Sequence, residues 1–556
     1  MRQVVSIQKK SLYEKGGHTM KHIYSKPQNQ VYNPFLPLEE YIPDGEPHVF
    51  GDRVYLFGSH DKEGGETFCM LDYTVYSASV SDLTRWRKEG VIYHASQDPD
   101  YGNRHYMYAP DVVQGNDGRF YLYYCMSGDY GQGGYWGPIR VAVCDSPAGS
   151  YEYLGYVRNP DGTPYNEHIC FDPAVLNDNG RIYLYSGTQY DFEERPDFFE
   201  NEDYIRSEMD MFHRSREEIL LRAKQDSIMG PVVMELEEDM RTLKTPAKHL
   251  IPYKVKGTSF EEHPFFEASS MRKVGEKYYF IYSSMLNHEL CYAVSDYPDR
   301  DFTFGGTLVS NGDIGMNGRS EADKLNMTGT THGSIEQIGG SWYVFYHRLT
   351  HKSDYSRQAC AEQITFTPDG QIPQVEITSC GLNHDPLRAE GSYPAVIACN
   401  LTNGNMPHGS NSIFRISFPN VTHQGEERFI AEINEGTLMG YKYFSFRDVT
   451  RIGVTARMET EENKVQYKGP LRLDERVTEK PDRSHQIRRP GIPSEKPVLE
   501  IRLTETGDPV GEIPLDENAE EWTEFWGDVR IPDGVSALYF VYHGSNFVQM
   551  KDIIFG

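Results

Sequence analysis

The chain lacks several features that would point to other classes of protein. Its 556 residues contain no run of 18 apolar residues, and the first ten residues, MRQVVSIQKK, lack the apolar core of a secretory signal. The eight cysteines are scattered without a C-x-x-C pair, so neither a zinc ribbon nor a disulfide framework is indicated and free, buried thiols are expected. These absences predict a cytoplasmic protein that does not span a membrane.

Basic residues are scarce relative to acidic ones. The chain has 55 Lys and Arg against 82 Asp and Glu, which gives a net charge of −27. A surface of this sign repels nucleic acid and acidic membranes, so neither is expected as a partner, whereas a neutral ligand would be tolerated. The plainer interpretation, in which acidity only keeps a large protein soluble, stays open.

Tyrosine, glycine and proline are abundant, at 39, 50 and 32 residues, and this composition favours an all-β protein built from short strands and tight turns. A strand core of the form apolar-Tyr-apolar occurs five times, at Tyr55, Tyr121, Tyr183, Tyr279 and Tyr343. At 10 to 12 residues before these tyrosines stand Asp44, Asp111, Asp172, Glu267 and His332.

The repeated unit reads as about four antiparallel strands, and blades of four strands around a channel are the architecture that such a repeat suggests. We therefore predict a five-bladed β-propeller over residues 30–380, preceded by an extension over 1–29. The polar residue of each unit would face the common axis. A chain of this length also exceeds what one core usually supports, so a second domain is expected.

Two segments depart from the repeat. Residues 191–228 are strongly charged and contain a helix-like stretch, so they are predicted to be an insertion that walls the pocket or contacts another subunit, a solvated surface helix being the alternative. From 388 to 556 the tyrosine strands stop, and alternating strands such as FRISFPNV and RIGVTARME predict a jelly-roll-like β-sandwich.

Five segments in order resemble glycoside hydrolase family 43. They are PDGEPHVFGDRVYLFGSHD (43–61), YAPDVV (108–113), FDPAVLNDNGRIYLYSG (171–187), FFEASSMRKVGEKYYFIYSS (265–284) and THGSIEQIGGSWYVFYHR (331–348). The resemblance covers residues 30–380 and depends on the set, since no single segment would suffice. It implies a five-bladed propeller and hydrolysis of glycosidic bonds with inversion, which requires one protonated and one ionised carboxyl group.

The resemblance also implies roles for three acids. Asp44 is expected to be the general base, Asp172 the residue that orients the acid and raises its pKa, and Glu267 the general acid. The family usually has Asp-Pro where this chain has Asp44-Gly45, so Glu46, which precedes a proline, offers a rival alignment.

The resemblance also implies roles for four residues outside this acid trio. Tyr108 stands where the family has an aromatic wall residue, usually Trp, and Asp111 is expected to brace the channel rather than to react. His332 matches a histidine that contacts substrate or, through water, a bound metal ion, and a structural histidine is the alternative. Arg357 matches an arginine that reaches the pocket, with a salt bridge at the rim as the alternative.

The second domain resembles a family 6 carbohydrate-binding module through GTLMGYKYFSF (436–446) and GSNFVQMKDIIFG (544–556), although the Trp or Asn of sugar-binding modules is absent near the C-terminus.

The resemblances together imply an exo-acting β-xylosidase or α-L-arabinofuranosidase that acts on oligosaccharides from plant cell walls. The alternatives are an endo-arabinanase and a non-catalytic, sugar-binding propeller. No cofactor is expected to be required, although a Ca²⁺ ion in the channel, near His332, and oligomerisation through residues 191–228 are left open.

Overall fold

The computed structural model describes residues 29–102, 105–126, 136–189, 229–409, 413–414, 416–465 and 496–556, together with isolated positions between 202 and 220. The predicted insertion at 191–228 and the extension before residue 29 lie almost entirely outside these residues. Helix is limited in the described residues: the named 3₁₀ turns are Ala95–Gln97, Met316–Gly318, Glu321–Asp323 and Ala395–Ile397. None of the described helices has the length and apolar character needed to cross a membrane.

The N-terminal part is built from five antiparallel sheets that follow one another along the chain. The first contains β1 (Glu46–Phe50), β2 (Arg53–Phe57), β3 (Tyr73–Ser79) and β4 (Asp82–Tyr93). The second contains β5 (Met107–Gln114), β6 (Phe120–Met126), β7 (Trp136–Cys144) and β8 (Glu152–Tyr156). The third contains β9 (Ala174–Asp178), β10 (Arg181–Ser186), β11 (Val232–Leu236) and β12 (Lys248–His249). The fourth contains β13 (Phe265–Val274), β14 (Lys277–Ser284), β15 (Glu289–Ser295) and β16 (Thr303–Ser310). The fifth contains β17 (Ser334–Ile338), β18 (Ser341–Leu349) and β19 (Arg357–Ile364).

These sheets form a closed ring, as a five-bladed propeller requires. The innermost strands β1, β5, β9, β13 and β17 contact one another in a cycle that ends where it began. A separate apolar cluster fills each gap between neighbouring blades, including the gap between the fifth blade and the first. The tyrosine strands explain this packing, because side chains alternate across a strand. In β6, Tyr121 and Tyr123 pack against the third blade, while Leu122 and Tyr124 pack against the first.

The segment before the first blade helps to close the ring. The backbone N–H of Phe35 donates to the carbonyl of Ala359 in β19 at 3.2 Å, and that of Asn33 donates to Ser379 at 2.9 Å. Phe35 also belongs to the apolar cluster between the first and fifth blades. The three-stranded fifth blade therefore has its outer edge covered by chain from the N-terminal side, which limits unwanted pairing of that edge.

The second domain is a sandwich of two six-stranded sheets around one large apolar core. One sheet contains β20 (Leu387–Arg388), β22 (Asn400–Thr402), β25 (Leu438–Phe446), β27 (Val498–Arg502), β28 (Gly511–Pro514) and β30 (Gly534–His543). The other contains β21 (Gly391–Pro394), β23 (Asn420–Gln424), β24 (Glu427–Ile433), β26 (Arg451–Met458), β29 (Thr523–Asp528) and β31 (Val548–Phe555). The predicted fold class, a five-bladed propeller followed by a β-sandwich, is confirmed.

Candidate active site

The inner strands bring the predicted polar residues to one end of the channel. Asp44, Asp172 and His332 each stand two residues before an inner strand, namely β1, β9 and β17, and Glu267 lies near the start of β13. The Nδ1 atom of His332 is 3.9 Å from an Asp44 oxygen and 3.7 Å from an Asp172 oxygen. The backbone N–H of Ala268 donates to Asp172 at 3.0 Å, which ties Asp172 to the residue after Glu267.

The backbone at these positions is unusual. Asp44, Asp172 and Ala268 have φ angles of 57°, 45° and 69°, in a region that L-residues other than Asn and Asp rarely adopt. Such conformations persist only where the surrounding structure fixes them, and they are enriched at functional sites. The two aspartates turn the chain into the inner strand, and their carboxyl groups lie beside His332 at one end of the channel.

Asp44 is held by a buried arginine that also holds a second acid. Arg357 donates from Nη1 to Asp44 at 2.8 Å, and from Nε and Nη2 to the two oxygens of Asp61 at 2.8 and 3.0 Å. Its guanidinium lies over the ring of Phe68, 4.7 Å from the centroid. The alternative of a salt bridge at the rim does not hold, since the side chains of Arg357 and Asp44 are each 6% exposed.

These neighbours keep Asp44 ionised. Burial by itself would raise its pKa, but the Arg357 guanidinium and a hydrogen bond with Ser59, joined by His332 and His347 where acid protonates these rings, outweigh burial and lower the pKa below its ordinary value. Asp44 therefore carries a negative charge at neutral pH.

The pKa values of Asp172 and Glu267 are raised, whereas that of Asp44 is lowered. Burial, followed by repulsion from Glu267 and Asp44, raises the pKa of Asp172 well above its ordinary value. Burial and repulsion from Asp44 raise the pKa of Glu267 to about 8. Two neighbouring carboxyl groups in this environment retain at least one proton at neutral pH. The site therefore combines an ionised acid with a proton-bearing pair.

Two histidines complete the floor as neutral rings. Burial lowers the pKa of His332 to about 4 and that of His347 to about 3, with Arg357 contributing to both. The Nε2 atom of His347 lies 2.9 Å from the carbonyl of Thr330 and must carry the proton, so Nδ1 accepts from the backbone N–H of Asp44 at 3.4 Å. His347 thus fixes the backbone on which Asp44 stands.

Tyr108 lies in the wall, next to Phe171, with the ring centroids 5.9 Å apart. Its hydroxyl is buried and has no hydrogen-bond partner among the described residues. An unpaired buried hydroxyl costs free energy unless a ligand or a water molecule satisfies it.

Glu46 and Asp111 lie deeper in the channel. Glu46 accepts from Arg272 at 2.8 Å, and Asp111 accepts from His48 at 2.7 Å and from the backbone N–H of Val175 at 2.7 Å. Asp111 therefore braces three blades, as expected. The prediction that Asp111 lies at the same depth in the channel as the polar residues of the other four blades was wrong.

The strand pairing gives the reason. Tyr121 pairs with Val113, two residues after Asp111, whereas Tyr55 pairs with His48, four residues after Asp44. Asp111 consequently lies level with Glu46, and neither belongs to the acid cluster at the channel mouth.

The described residues around His332 offer few direct oxygen ligands for Ca²⁺, so an ion contacted by His332 would depend on water molecules for most of its ligands. Ca²⁺ takes six to eight oxygen ligands. The nearest carboxylate oxygens to His332 belong to Asp44 and Asp172, and the Asp44 oxygen already accepts from the cationic Arg357 at 2.8 Å. We assign no catalytic step to a metal at this position.

Sequence reasoning missed three residues of this site. Asp61 and Phe68 follow the first tyrosine strand, and His347 lies within the fifth, β18. A signal existed for Asp61 and His347, since an acid shortly after a buried strand, or a histidine inside the run WYVFYHR, is costly to bury without a partner. The partners, however, lie up to 303 residues away.

Comparison with known proteins agrees with this architecture. The model of the glycosyl hydrolases family 43 matches residues 32–372. A xylosidase/arabinosidase from Thermoclostridium stercorarium is 39% identical over 538 residues, which is 94% of this chain and 98% of that protein. Xylosidase/arabinosidase 43A from Humicola insolens is 29% identical over 60% of this chain and 96% of its own length.

A solved structure of an arabinoxylan arabinofuranohydrolase from Bacillus subtilis is 18% identical, with 94% of this chain and 97% of that chain covered and a TM-score of 0.44. The family match spans all five blades, and the Thermoclostridium relative extends through the sandwich as well. The chain belongs to glycosyl hydrolase family 43 and is a glycoside hydrolase.

Proposed function

We propose that this enzyme is an inverting, exo-acting glycosidase that releases xylose or arabinofuranose from oligosaccharides of plant cell walls. The observation that carries the proposal is the opposed pKa shifts within one cluster. Asp44 is held ionised by Arg357, while burial and mutual repulsion keep a proton on the Asp172–Glu267 pair. Hydrolysis with inversion needs these two states at the same time.

In this proposal Glu267 is the general acid. Residue Glu267 is intermediate in exposure, and its carboxyl accepts no hydrogen bond from the described residues. We assign the ionised role in this pair to Asp172, because the Ala268 N–H donates to it and opposes the rise in its pKa that burial and repulsion cause, whereas Glu267 accepts no such bond. Because the repulsion between the two carboxyl groups is mutual, an ionised Asp172 keeps the proton on Glu267.

Asp44 is the general base. It removes a proton from a water molecule as that water attacks the anomeric carbon, while Glu267 gives its proton to the departing glycosidic oxygen. The bond from carbon to the leaving oxygen breaks as the bond to water forms on the opposite face, so the configuration inverts. Exchange of protons with solvent then restores both carboxyl groups.

Three further residues are proposed to hold the sugar. The unpaired hydroxyl of Tyr108 suits a hydrogen bond with a sugar hydroxyl, and neutral His332 stands between the two aspartates. Arg357 remains beside Asp44, where it contacts the bound ring. The Thermoclostridium and Humicola relatives are both xylosidase/arabinosidases, which supports xylosides and arabinosides as the substrates.

The test is release of sugar from nitrophenyl β-xyloside and α-arabinofuranoside, together with linear arabinan. We expect single sugars from at least one nitrophenyl glycoside, and an Asp44→Asn variant without measurable turnover that still binds the product sugar. Short arabino-oligosaccharides from arabinan would indicate an endo-arabinanase instead. No release from any substrate would support a non-catalytic binding propeller.

We also propose that the sandwich is a relative of family 6 carbohydrate-binding modules with a structural role. The two segments that carry this resemblance form β25 and β31. Gln549, near the expected ligand position, is fully buried and bonded to Arg457 at 2.7 Å, so it does not face a ligand. Calorimetric titration of Asp44→Asn with xylo-oligosaccharide should give one site per chain, whereas a second site would assign sugar binding to the sandwich.

A further inference from the structure

The sandwich contacts the propeller beside the active site through a shielded ion pair. Glu63 follows Asp61 by two residues in the loop between β2 and β3. Its carboxylate accepts from Nε and Nη2 of Arg428, in β24, at 3.1 and 2.7 Å, and from the hydroxyl of Tyr41 at 3.0 Å. The side chains of Glu63 and Arg428 are 14% and 16% exposed, so this fork-shaped pair is protected from most solvent screening.

A second connection runs through His351, in the loop between β18 and β19. The hydroxyl of Thr350 donates to the carbonyl of Ser356 at 3.0 Å, so its oxygen must accept from Nδ1–H of His351, also at 3.0 Å. Nε2 of His351 is then an acceptor, and Nδ1–H of His423 in β23 donates to it at 3.3 Å. The backbone N–H of His351 donates to Val421 in the same strand at 2.9 Å.

The β2–β3 loop and the β18–β19 loop both contact or adjoin Arg357. One carries Asp61, which holds the guanidinium by two hydrogen bonds, and the other ends at Ser356, the residue before Arg357. The backbone N–H of Gly64 joins the two loops by donating to the hydroxyl of Ser356 at 3.0 Å. Strands β23 and β24 of the sandwich therefore support both sides of the position that Arg357 occupies.

We propose that Glu63 and Arg428 are positioning residues, through which the sandwich holds Asp61 and Arg357 in place and so sets the activity of the propeller. This inference rests on the proposed function. Its physical basis is that Arg357 is the strongest attractive influence on Asp44. A loop that moves would let the guanidinium shift away from Asp44, and misplacement of about 1 Å costs about a hundredfold in rate.

A second ion pair between the propeller and the sandwich serves as a matched control for the Glu63–Arg428 pair. Arg319 of the propeller forms a fork-shaped pair with Glu505 of the sandwich at 2.8 and 2.9 Å, and their side chains are 14% and 23% exposed. This pair joins the same two domains with the same chemistry, and its described hydrogen bonds and ion pairs involve neither Asp61 nor Arg357. Loss of either pair should cost similar stability.

The experiment compares the full-length variants Arg428→Gln, Arg428→Lys, Glu63→Gln and Arg319→Gln on the substrate that the wild type cleaves. We expect kcat/KM to fall about ten- to a hundredfold in Arg428→Gln and Glu63→Gln, with the acidic limb of the pH profile moved to higher pH, because Asp44 loses part of the stabilisation of its charge. Arg428→Lys should recover part of the activity. The double variant Glu63→Gln/Arg428→Gln should have a kcat/KM no lower than that of the less active of its two single variants.

Arg319→Gln should lower Tm to a similar extent but leave kcat/KM and the pH profile within about twofold of the wild type. An unchanged acidic limb in Arg428→Gln, or an equal loss of activity in Arg319→Gln, would overturn the proposal. A wild type that cleaves no glycoside would refute the proposed function instead, and this outcome is distinguishable because it appears before any variant is made.

Discussion

Replacement of Glu267 by glutamine removes the proposed proton donor and keeps the size of the side chain. The pKa of Glu267 is raised to about 8, so at pH 7 the protonated form exceeds the ionised form by roughly ten to one. The wild type should therefore lose activity as the pH rises through about 8. A general acid contributes about 10²- to 10⁴-fold to the rate, so Glu267→Gln should lose that factor on xylobiose or the matching arabinobiose.

The assay measures kcat/KM for the disaccharide from about pH 5 to about pH 9. In Glu267→Gln the basic limb should vanish together with the rate, because glutamine does not titrate. Glu46→Gln is the matched control, since burial also raises the pKa of Glu46 to about 8 but its carboxylate is bonded to Arg272 deeper in the channel. A Glu267→Gln enzyme with the wild-type rate and basic limb would refute the assignment, as would loss of that limb in Glu46→Gln.

Three further outcomes follow from the same geometry. Arg357→Met leaves two buried carboxylates without their cation, so unfolding free energy should fall by about 3–5 kcal/mol in denaturant titration, and an unchanged midpoint would contradict the buried pair. Tyr108→Phe should raise KM about five- to tenfold with little change in stability, and an unchanged KM would mean that its hydroxyl does not contact the sugar. Dialysis against EDTA should leave kcat/KM within about twofold, and a loss restored by Ca²⁺ would mean that the enzyme requires a metal.

The propeller could be predicted because its defining pattern is local. Each tyrosine strand is apolar on both faces, and both faces are buried because alternate residues pack against different neighbouring blades. The polar residues before the strands could be predicted to meet for the same reason, since equivalent positions in a ring of blades converge on the axis. Asp44, Asp172, Glu267 and His332 follow this rule.

Counting residues was less reliable for the second blade. Val113 pairs with Tyr121 across eight residues, one more than the seven between His48 and Tyr55, and Asp111 stands one residue nearer its tyrosine than Asp44 does, so Asp111 lies two residues deeper. The longer connection between β5 and β6 is not marked in the spacing from polar residue to tyrosine. The role predicted for Asp111, bracing the channel, did not depend on its depth and was correct.

The contacts that set the pKa values could not be read from the sequence. Arg357 reaches Asp44 and Asp61 across 313 and 296 residues, and Arg428 reaches Glu63 across 365. Nothing in the local sequence of the loop around Glu63 indicates that a strand of another domain lies against it. Such pairs depend on how whole domains dock, and a single sequence carries no periodic signal for docking.

The configuration of the first sugar released tests the central claim most directly. An ionised Asp44 that activates water, opposite a protonated Glu267, must invert the anomeric centre. Proton NMR recorded within the first turnovers of a β-xyloside should therefore show α-xylose before mutarotation, or the β-anomer from an α-arabinofuranoside. Initial release of sugar with the configuration retained would mean that a carboxylate attacks carbon directly, and the role of Asp44 as a general base would be wrong.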